Sequence, residues 1–389
     1  MKNLKKIKAK GLWNKTSLIK WMTFLGALTI MGITIWLIDD SKLQNGEKNI
    51  KYYKAKVIEV NADTTVVDEK TEGVRKGSQV IKIKLMNGPY QGDVVTMDNY
   101  LSALYNIYAK NGSRIIVRAT IYPEGPSYSV YNYDRTPVLT GFVVLFMVSI
   151  CIIGGKKGLM ALLSLLLTLI AVVKILIPLL IQGFPAITTT IVLIVIVTIV
   201  SYILLDGINV KTISATSGTI IGVMLSGLLA YIVGLIGHVS GFQMEEAESL
   251  LLIAGEHGLK IRNLFVCGIF IASLGAIMDI AMSIASAIHE LHEVNPSLNI
   301  NQLFRSAMNI GKDAMGTMTN TLILAFTGSS LNLLLIIYSY GIPFSQLINT
   351  DIIAIEIIKG IAGSIGIVLT VPIIAYFGSI IEKRYVHKI

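Results

Sequence analysis

One acid of this 389-residue chain, Asp279, stands well inside a long apolar stretch, in the run Gly275-Ala276-Ile277-Met278-Asp279-Ile280-Ala281-Met282-Ser283-Ile284-Ala285-Ser286. A carboxyl group at such a position costs at least about 2.5–3.5 kcal/mol on insertion scales, and it can bind a cation, exchange a proton or hydrogen-bond another helix. Gly275, Asp279, Ser283 and Ala287 recur at four-residue spacing and so share one helix face. A second polar run, Gly316-Thr317-Met318-Thr319-Asn320-Thr321, lies in the next apolar stretch. Counted from expected inner helix ends at Ile288 and Ala314, Asp279 and Asn320 lie roughly 14 and 9 Å inward at 1.5 Å per residue. Asp279, Ser283, Thr317, Thr319 and Asn320 are therefore the expected substrate or ion pathway. The competing reading makes Asp279 a structural acid that joins helices. Lys174 is a counter-ion by charge, but its depth, nearer the opposite membrane face, argues against the pair, and a lysine there can snorkel.

Other chemistry-bearing groups are weaker. His238, Glu245, Glu246, Glu248, Glu256 and His257 cluster before the Asp279 stretch, and His289-Glu290-Leu291-His292-Glu293 follows it. The second string lacks the i, i+4 histidine pair of a zinc-protease helix, so solvated helix ends account for both clusters and no metal is expected. Met278, Met282, Met315 and Met318 read as packing rather than as soft-metal ligands. No P-loop and no G-x-S-x-G occurs, and Ala215-Thr216-Ser217-Gly218 lacks the first glycine of a G-x-S-G motif. The chain is expected to be no enzyme and to need no cofactor.

The elements that position these residues follow from composition. A hydrophobic fraction of 53%, a mean hydropathy of +0.68 and only 15% charged residues exclude an ordinary soluble protein. Apolar stretches over about 18–38, 137–153, 159–181, 187–205, 213–237, 263–288, 314–339 and 360–381 are each long enough to cross the bilayer, giving eight expected helices. The fold class expected is therefore a mainly α-helical, multi-pass membrane protein with a small β domain. Its parts are a basic tail and first anchor (1–38), a β-rich extracytoplasmic domain (39–135) and a seven-helix membrane domain (136–389).

Met1–Ile38 holds seven lysines and no acid, which suits an anionic lipid surface; no nucleic acid is expected as a partner. Lys156, Lys157, Lys211, Arg305, Lys312, Lys383, Arg384 and Lys388 all fall inside when the N-terminus is cytoplasmic, while Lys260, Arg262 and Lys359 are exceptions. Both termini are then expected in the cytoplasm of a bacterial cell and 39–135 outside. The first stretch lacks a small-x-small cleavage pattern and reads as an uncleaved anchor. Cys151 and Cys267 lie at opposite membrane depths and read as packers. Ser214, Gly218, Gly222, Ser226, Ala230 and Gly234 recur every fourth residue, a row expected to let another helix approach closely.

Within 39–135, Lys51–Val60 and Gln79–Met86 alternate apolar with polar residues, and Asn87-Gly88 is a turn pair. Strands are also expected over 93–97, 114–121 and 128–131, with an amphipathic helix over Leu101–Tyr108. Three strands, one helix and two strands suit an OB-like barrel. Its tyrosines, among them Tyr100, Tyr105, Tyr108, Tyr122, Tyr128, Tyr131 and Tyr133, could form a stacking face, or line the core and the membrane interface.

Three segments resemble the YibE/F-like family of bacterial membrane proteins: Glu256-His257-Gly258-Leu259, the Asp279 run from Gly275 to Ala287, and Gly311-Lys312-Asp313-Ala314-Met315-Gly316-Thr317-Met318-Thr319-Asn320-Thr321-Leu322. The resemblance spans roughly 52–381, and the anchor and outer domain are similar to the longer, E-type member. It implies a shorter, membrane-only partner of F-type and carries no activity with it. Two functions are expected from the residues: transport or permeation coupled to an ion through Asp279, or, as the alternative, a non-transporting envelope scaffold whose outer domain binds a protein or glycan. The lipid bilayer is the expected environment, with homo-oligomers or hetero-oligomers both open.

Overall fold

The computed structural model describes residues 20–36, 49–71, 73–239, 241, 250–251, 253–255, 259, 261 and 264–385. Two compact units result, Gln44–Ile152 and the remainder of the chain.

The first unit carries an antiparallel half-barrel sheet. Its strands are β1 (Ile50–Asp63), β2 (Val66–Asp68), β3 (Val74–Leu85), β4 (Val94–Leu101), β5 (Arg114–Tyr122) and β6 (Gly125–Tyr133). The path is β2-β3-β1-β5-β6, with β4 paired to the other side of β3. Period-two alternation puts Ala55 and Val57 of β1, Ile81 and Ile83 of β3, and Ile115 and Val117 of β5 in one core. Register shifts between Val57 and Glu59 and between Val60 and Ala62 mark irregularities in β1, of the kind that bends a strand and lets it pair with both β3 and β5 in a curled sheet. This is the OB-like half-barrel that the strand pattern predicts.

The expected helix over Leu101–Tyr108 is absent. Leu101 closes β4, and no helix follows in 102–113. Two buried amides explain why this stretch can stay irregular. Gln79 is 1% exposed, and its Nε2 donates to the Ala109 carbonyl (3.1 Å) while its Oε1 accepts from the Ala109 amide (2.9 Å). Asn99 Nδ2 donates to the Ile107 carbonyl at 2.8 Å and to Gln79 Oε1 at 3.1 Å. Side chains thus satisfy backbone groups that a helix would otherwise pair, which releases Ile107 and Ala109 to fill the core.

The helices are α1 (Lys20–Trp36), α2 (Thr136–Ile181), α3 (Ala186–Asp206), α4 (Val210–Ile236), α5 (Leu264–Val294), α6 (Ile300–Ser329), α7 (Leu331–Ser339), α8 (Phe344–Leu347) and α9 (Asp351–Tyr385). Among the described residues five of these are long and apolar enough to cross a membrane, or six when α6 and α7 count as one bent span. The expected eight therefore reduces. The expected stretches 137–153 and 159–181 both fall in α2, a 46-residue run in which two helices meet at a kink at Gly155 (φ 52°, ψ −130°). The first is described over Lys20–Trp36 alone, and the stretch expected as 314–339 starts earlier, at Ile300, and bends by 59° next to Ser330.

A seam of α4, α5 and α9 forms the centre of the second unit, with α6 against α5 and α9, and α3 against α4 and α5. Ser214, Gly218, Gly222, Ser226, Ala230 and Gly234 are all buried on α4. A methyl group added at Gly218 would run into Ile374, at Gly222 into Thr370, and at Gly234 into Phe265. The row thus brings α4 into contact with both α9 and α5, since lipid offers no hydrophobic drive and close backbone approach must supply the dispersion energy. Local chemistry starts these helices: Asn209 caps α4 by accepting from the Thr212 amide at 2.7 Å, and Asn299 with Gln302 forms a capping box on α6.

Candidate functional site

Asp279 is the midpoint of α5, with 15 residues on either side, about 22 Å at 1.5 Å per residue. The helix continues past the expected end at Ile288 to Val294. Apolar residues such as Ile277, Ile280, Ile284 and Ile288 anchor α5 in the seam. That leaves Gly268, Ala272, Gly275, Asp279, Ser283 and Glu290 on the opposite, exposed side. Among the described residues the Asp279 carboxylate has no hydrogen-bonding or ionic partner. The Ser283 hydroxyl, one turn away, donates to the backbone carbonyl of Asp279 at 2.8 Å instead. Lys174 sits exposed in a π turn, Val172–Leu176, and is not joined to Asp279.

The backbone around Asp279 is held from behind. Tyr202 of α3 is 1% exposed, and its hydroxyl donates to the Met278 carbonyl at 2.9 Å and shares a 2.6 Å bond with Thr219 of α4. Three helices are thereby fixed at the level of the acid. Sequence reading passed over Tyr202 because one tyrosine in an apolar helix carries no spacing signal.

The α6 residues come to this level in a definite order. Gly311 meets Ile284 of α5, while Leu322 and Ser273 both meet Gly363 of α9. The two helices therefore run antiparallel with equal spacing between these contacts. Asp279 falls level with Gly316, Gly275 with Asn320, Ser283 with Lys312, and Glu290 with Arg305. Thr317 and Asn320 are exposed, and Thr319 is half-buried with a hydroxyl that finds no partner among the described residues. Of the expected pathway residues, Asp279, Ser283, Thr317 and Asn320 thus lie on exposed faces of α5 and α6, whereas the Thr319 hydroxyl is buried. Asn320 stands one turn from Asp279, about 6 Å along the axis, and α6 begins at Ile300, well before the expected Ala314.

Three cavities lie elsewhere. One of about 650 Å³ is a partly open groove between α1, α2 and α3, with Met31, Leu176 and Val192 among its apolar walls and Thr34, Thr168 and Ser201 as sparse hydroxyls. Another of about 290 Å³ reaches Gly275 and Met278 from the α2 side. Asp279 lines neither. A small, half-polar cavity of about 190 Å³ sits at the α6–α7 bend. There the Ser330 hydroxyl donates to Glu356 at 2.9 Å, and Lys359 pairs with Glu356 at 2.6 Å. This pair accounts for Lys359, the basic exception near the last helix, and the Gly328-Ser329-Ser330 triplet was the available signal for the bend.

The C-terminal end of α5 is tied to α9 by His289 Nδ1, 2.8 Å from Glu382 Oε1, with Glu293 at 3.5 Å from the other ring nitrogen. Among the described residues no group of three or more His, Cys, Asp or Glu side chains is arranged to hold a metal ion. The other cluster, Glu245, Glu246, Glu248, Glu256 and His257, lies outside the described residues.

On the half-barrel, Tyr100, Tyr105, Tyr122 and Tyr131 are exposed, whereas Tyr108, Tyr128 and Tyr133 are half-buried. Tyr133 donates to the Tyr108 carbonyl at 2.8 Å, a structural use. Asp63 accepts from the amide and hydroxyl of Thr65 and from Gln79, and with the hydroxyl of Tyr108 these donors hold its carboxyl down at about 2.

Comparison with known families matches both units. The family model described as YibE/F-like protein matches residues 142–384, more than half of the chain, and the YibE/F family N-terminal domain matches 49–131. Neither the curated proteins nor the solved structures compared yield a match.

Proposed function

The chain belongs to the YibE/F-like family, and on that premise we propose a transport or permeation protein of the bacterial cytoplasmic membrane in which Asp279 is the proton- or cation-linked group. The observation that carries this reading is a carboxylate at the midpoint of a membrane-spanning helix, facing outward and without a partner among the described residues. Lipid leaves such a group unsolvated, so water, a cation or another chain must meet it there. Ser283, Thr317, Thr319 and Asn320 are its polar neighbours on this reading. Both termini lie in the cytoplasm and the half-barrel outside, as the distribution of lysine and arginine favours. No enzymatic step is part of the proposal.

The test uses the full chain in sealed vesicles under an imposed proton or sodium gradient. The wild type should dissipate one of the two, Asp279→Glu should retain that flux, and Asp279→Asn should lose about tenfold or more. A wild type that leaves both gradients standing, or an Asn variant as fast as wild type, overturns the reading.

A second reading, an envelope scaffold, is favoured by the exposed aromatics of the half-barrel, where Tyr52 and Tyr131 are half-exposed and pair edge-on at 4.8 Å. If residues 39–135 on an unrelated membrane anchor restore the phenotype of a deletion strain, the scaffold reading replaces transport.

A further inference from the structure

We propose that a second copy of this chain covers the outer faces of α5 and α6, the α5 of one copy lying against the α6 of the other at equal depth. The inference concerns association alone and stands whether or not an ion passes at Asp279.

The first observation is that α6 is polar on the side turned away from its own protomer. It buries Leu303, Ala307, Gly311 and Leu322. On the opposite side Asn309, Asp313, Gly316 and Asn320 follow one another at helical spacing, all exposed. The part of this face from Gly316 to Asn320 falls in the stretch expected to lie among apolar helices, and there it needs a covering that can hydrogen-bond, which lipid tails cannot do.

The second observation is charge. The exposed face of α5 carries Asp279, Glu290 and Glu293, all acidic, whereas α6 exposes Arg305 and Lys312, with Asp313 beside the lysine. Among the described residues none of these forms an ion pair between α5 and α6 within the protomer. Glu290 is level with Arg305, so an α5 meeting a neighbour's α6 at equal depth opposes the two directly. Lys312 is one turn, about 6 Å, from the level of Asp279, within reach of a lysine side chain. Because one chain bears both the acidic and the basic face, a two-fold arrangement about an axis along the membrane normal satisfies both at once. A second copy is therefore the occupant that this pattern fits.

The third observation is space. A methyl group added at Gly268, Gly275 or Gly316 meets nothing within 4 Å. Nothing among the described residues requires glycine there, although glycine weakens a helix by about 1 kcal/mol relative to alanine. Close approach of another helix supplies the reason.

The experiment uses the full chain with Cys151→Ala and Cys267→Ala. Two differently tagged copies are made together, one carrying Gly275→Cys and the other Asn320→Cys, and membranes are oxidised. A disulfide-linked species bearing both tags is expected. The displaced combination, Gly275→Cys with Gln302→Cys, should give little. No doubly tagged species, equal yield from the displaced pair, or crosslinking only to a chain of different sequence would overturn the proposal. Charge exchange separates contact from folding: Glu290→Arg and Arg305→Glu should each lower the yield by about tenfold, and the two combined in one chain should restore it. Failure of the double variant to recover, with both singles still folded by size exclusion, counts equally against the interface.

Discussion

On the inner side of the helix bundle, glycines are matched to side chains: Gly218 receives Ile374, Gly227 receives Phe270 and Gly366 receives Ser226. On the outer side Gly268, Gly275 and Gly316 face open space, and the acid among them has no described partner. The same residue type thus answers to two different demands. Inside, the small residue is explained by a neighbour already present in the protomer. Outside, no neighbour is found among the described residues, which is where the proposed second copy would lie. The half-barrel repeats the contrast on a smaller scale, with Gln79 and Asn99 buried and fully engaged while Asp63 collects its donors at the surface.

The contrast is most exposed to refutation at paired glycines. Gly222→Leu should lower stability by about 3 kcal/mol or prevent folding, because the added side chain meets Thr370 and Ile277 in a filled seam. Gly275→Leu should not destabilise the protomer in detergent, and by helix propensity should stabilise it by up to about 1 kcal/mol, while reducing association. Equal damage from both would erase the distinction between the two faces.

A medium effect is expected in the half-barrel. Gln79→Leu strands the amide and carbonyl of Ala109 and one donor of Asn99, at a cost of about 2 kcal/mol. Hydrogen exchange of peptides within 102–110 should accelerate by about thirtyfold, and unchanged protection would show that the segment is held some other way.

The smallest effect belongs to the surface acid. The carboxyl of Asp63 is depressed, first by the hydroxyl and amide of Thr65, from its ordinary 3.8 to about 2. A depressed folded-state value means that its contribution is complete above the unfolded value and is lost as pH falls through the folded one. Stability of the half-barrel should therefore drop between about pH 4 and pH 2, and Asp63→Asn should flatten that part of the curve. The group is exposed, so solvent screening keeps the change small.

Much of this was legible along the chain, for reasons that differ by element. Four-residue spacing of Ser214 to Gly234 and period-two alternation in β1, β3 and β5 are local patterns whose burial follows from backbone geometry. The loop at 102–110 reads as a helix in sequence because Leu101, Leu104 and Tyr108 imitate a helical face, while the amides that hold the segment open are Gln79 of β3, 30 residues before Ala109, and Asn99 of β4, 8 residues before Ile107. The break between 137–153 and 159–181 was legible at Gly154-Gly155, where Gly155 takes a non-helical conformation at positive φ.

The amino-acid order alone determined that long apolar helices follow a small β domain, and that one carboxyl lies among them, because hydrophobic length and periodicity act residue by residue. Only the tertiary structure decided that this carboxyl faces away from the seam and that α5 and α6 meet with Asp279 level with Gly316. Which side of a helix is inside depends on the neighbours that compete for it, and those neighbours come from α4 and α9, far off in sequence.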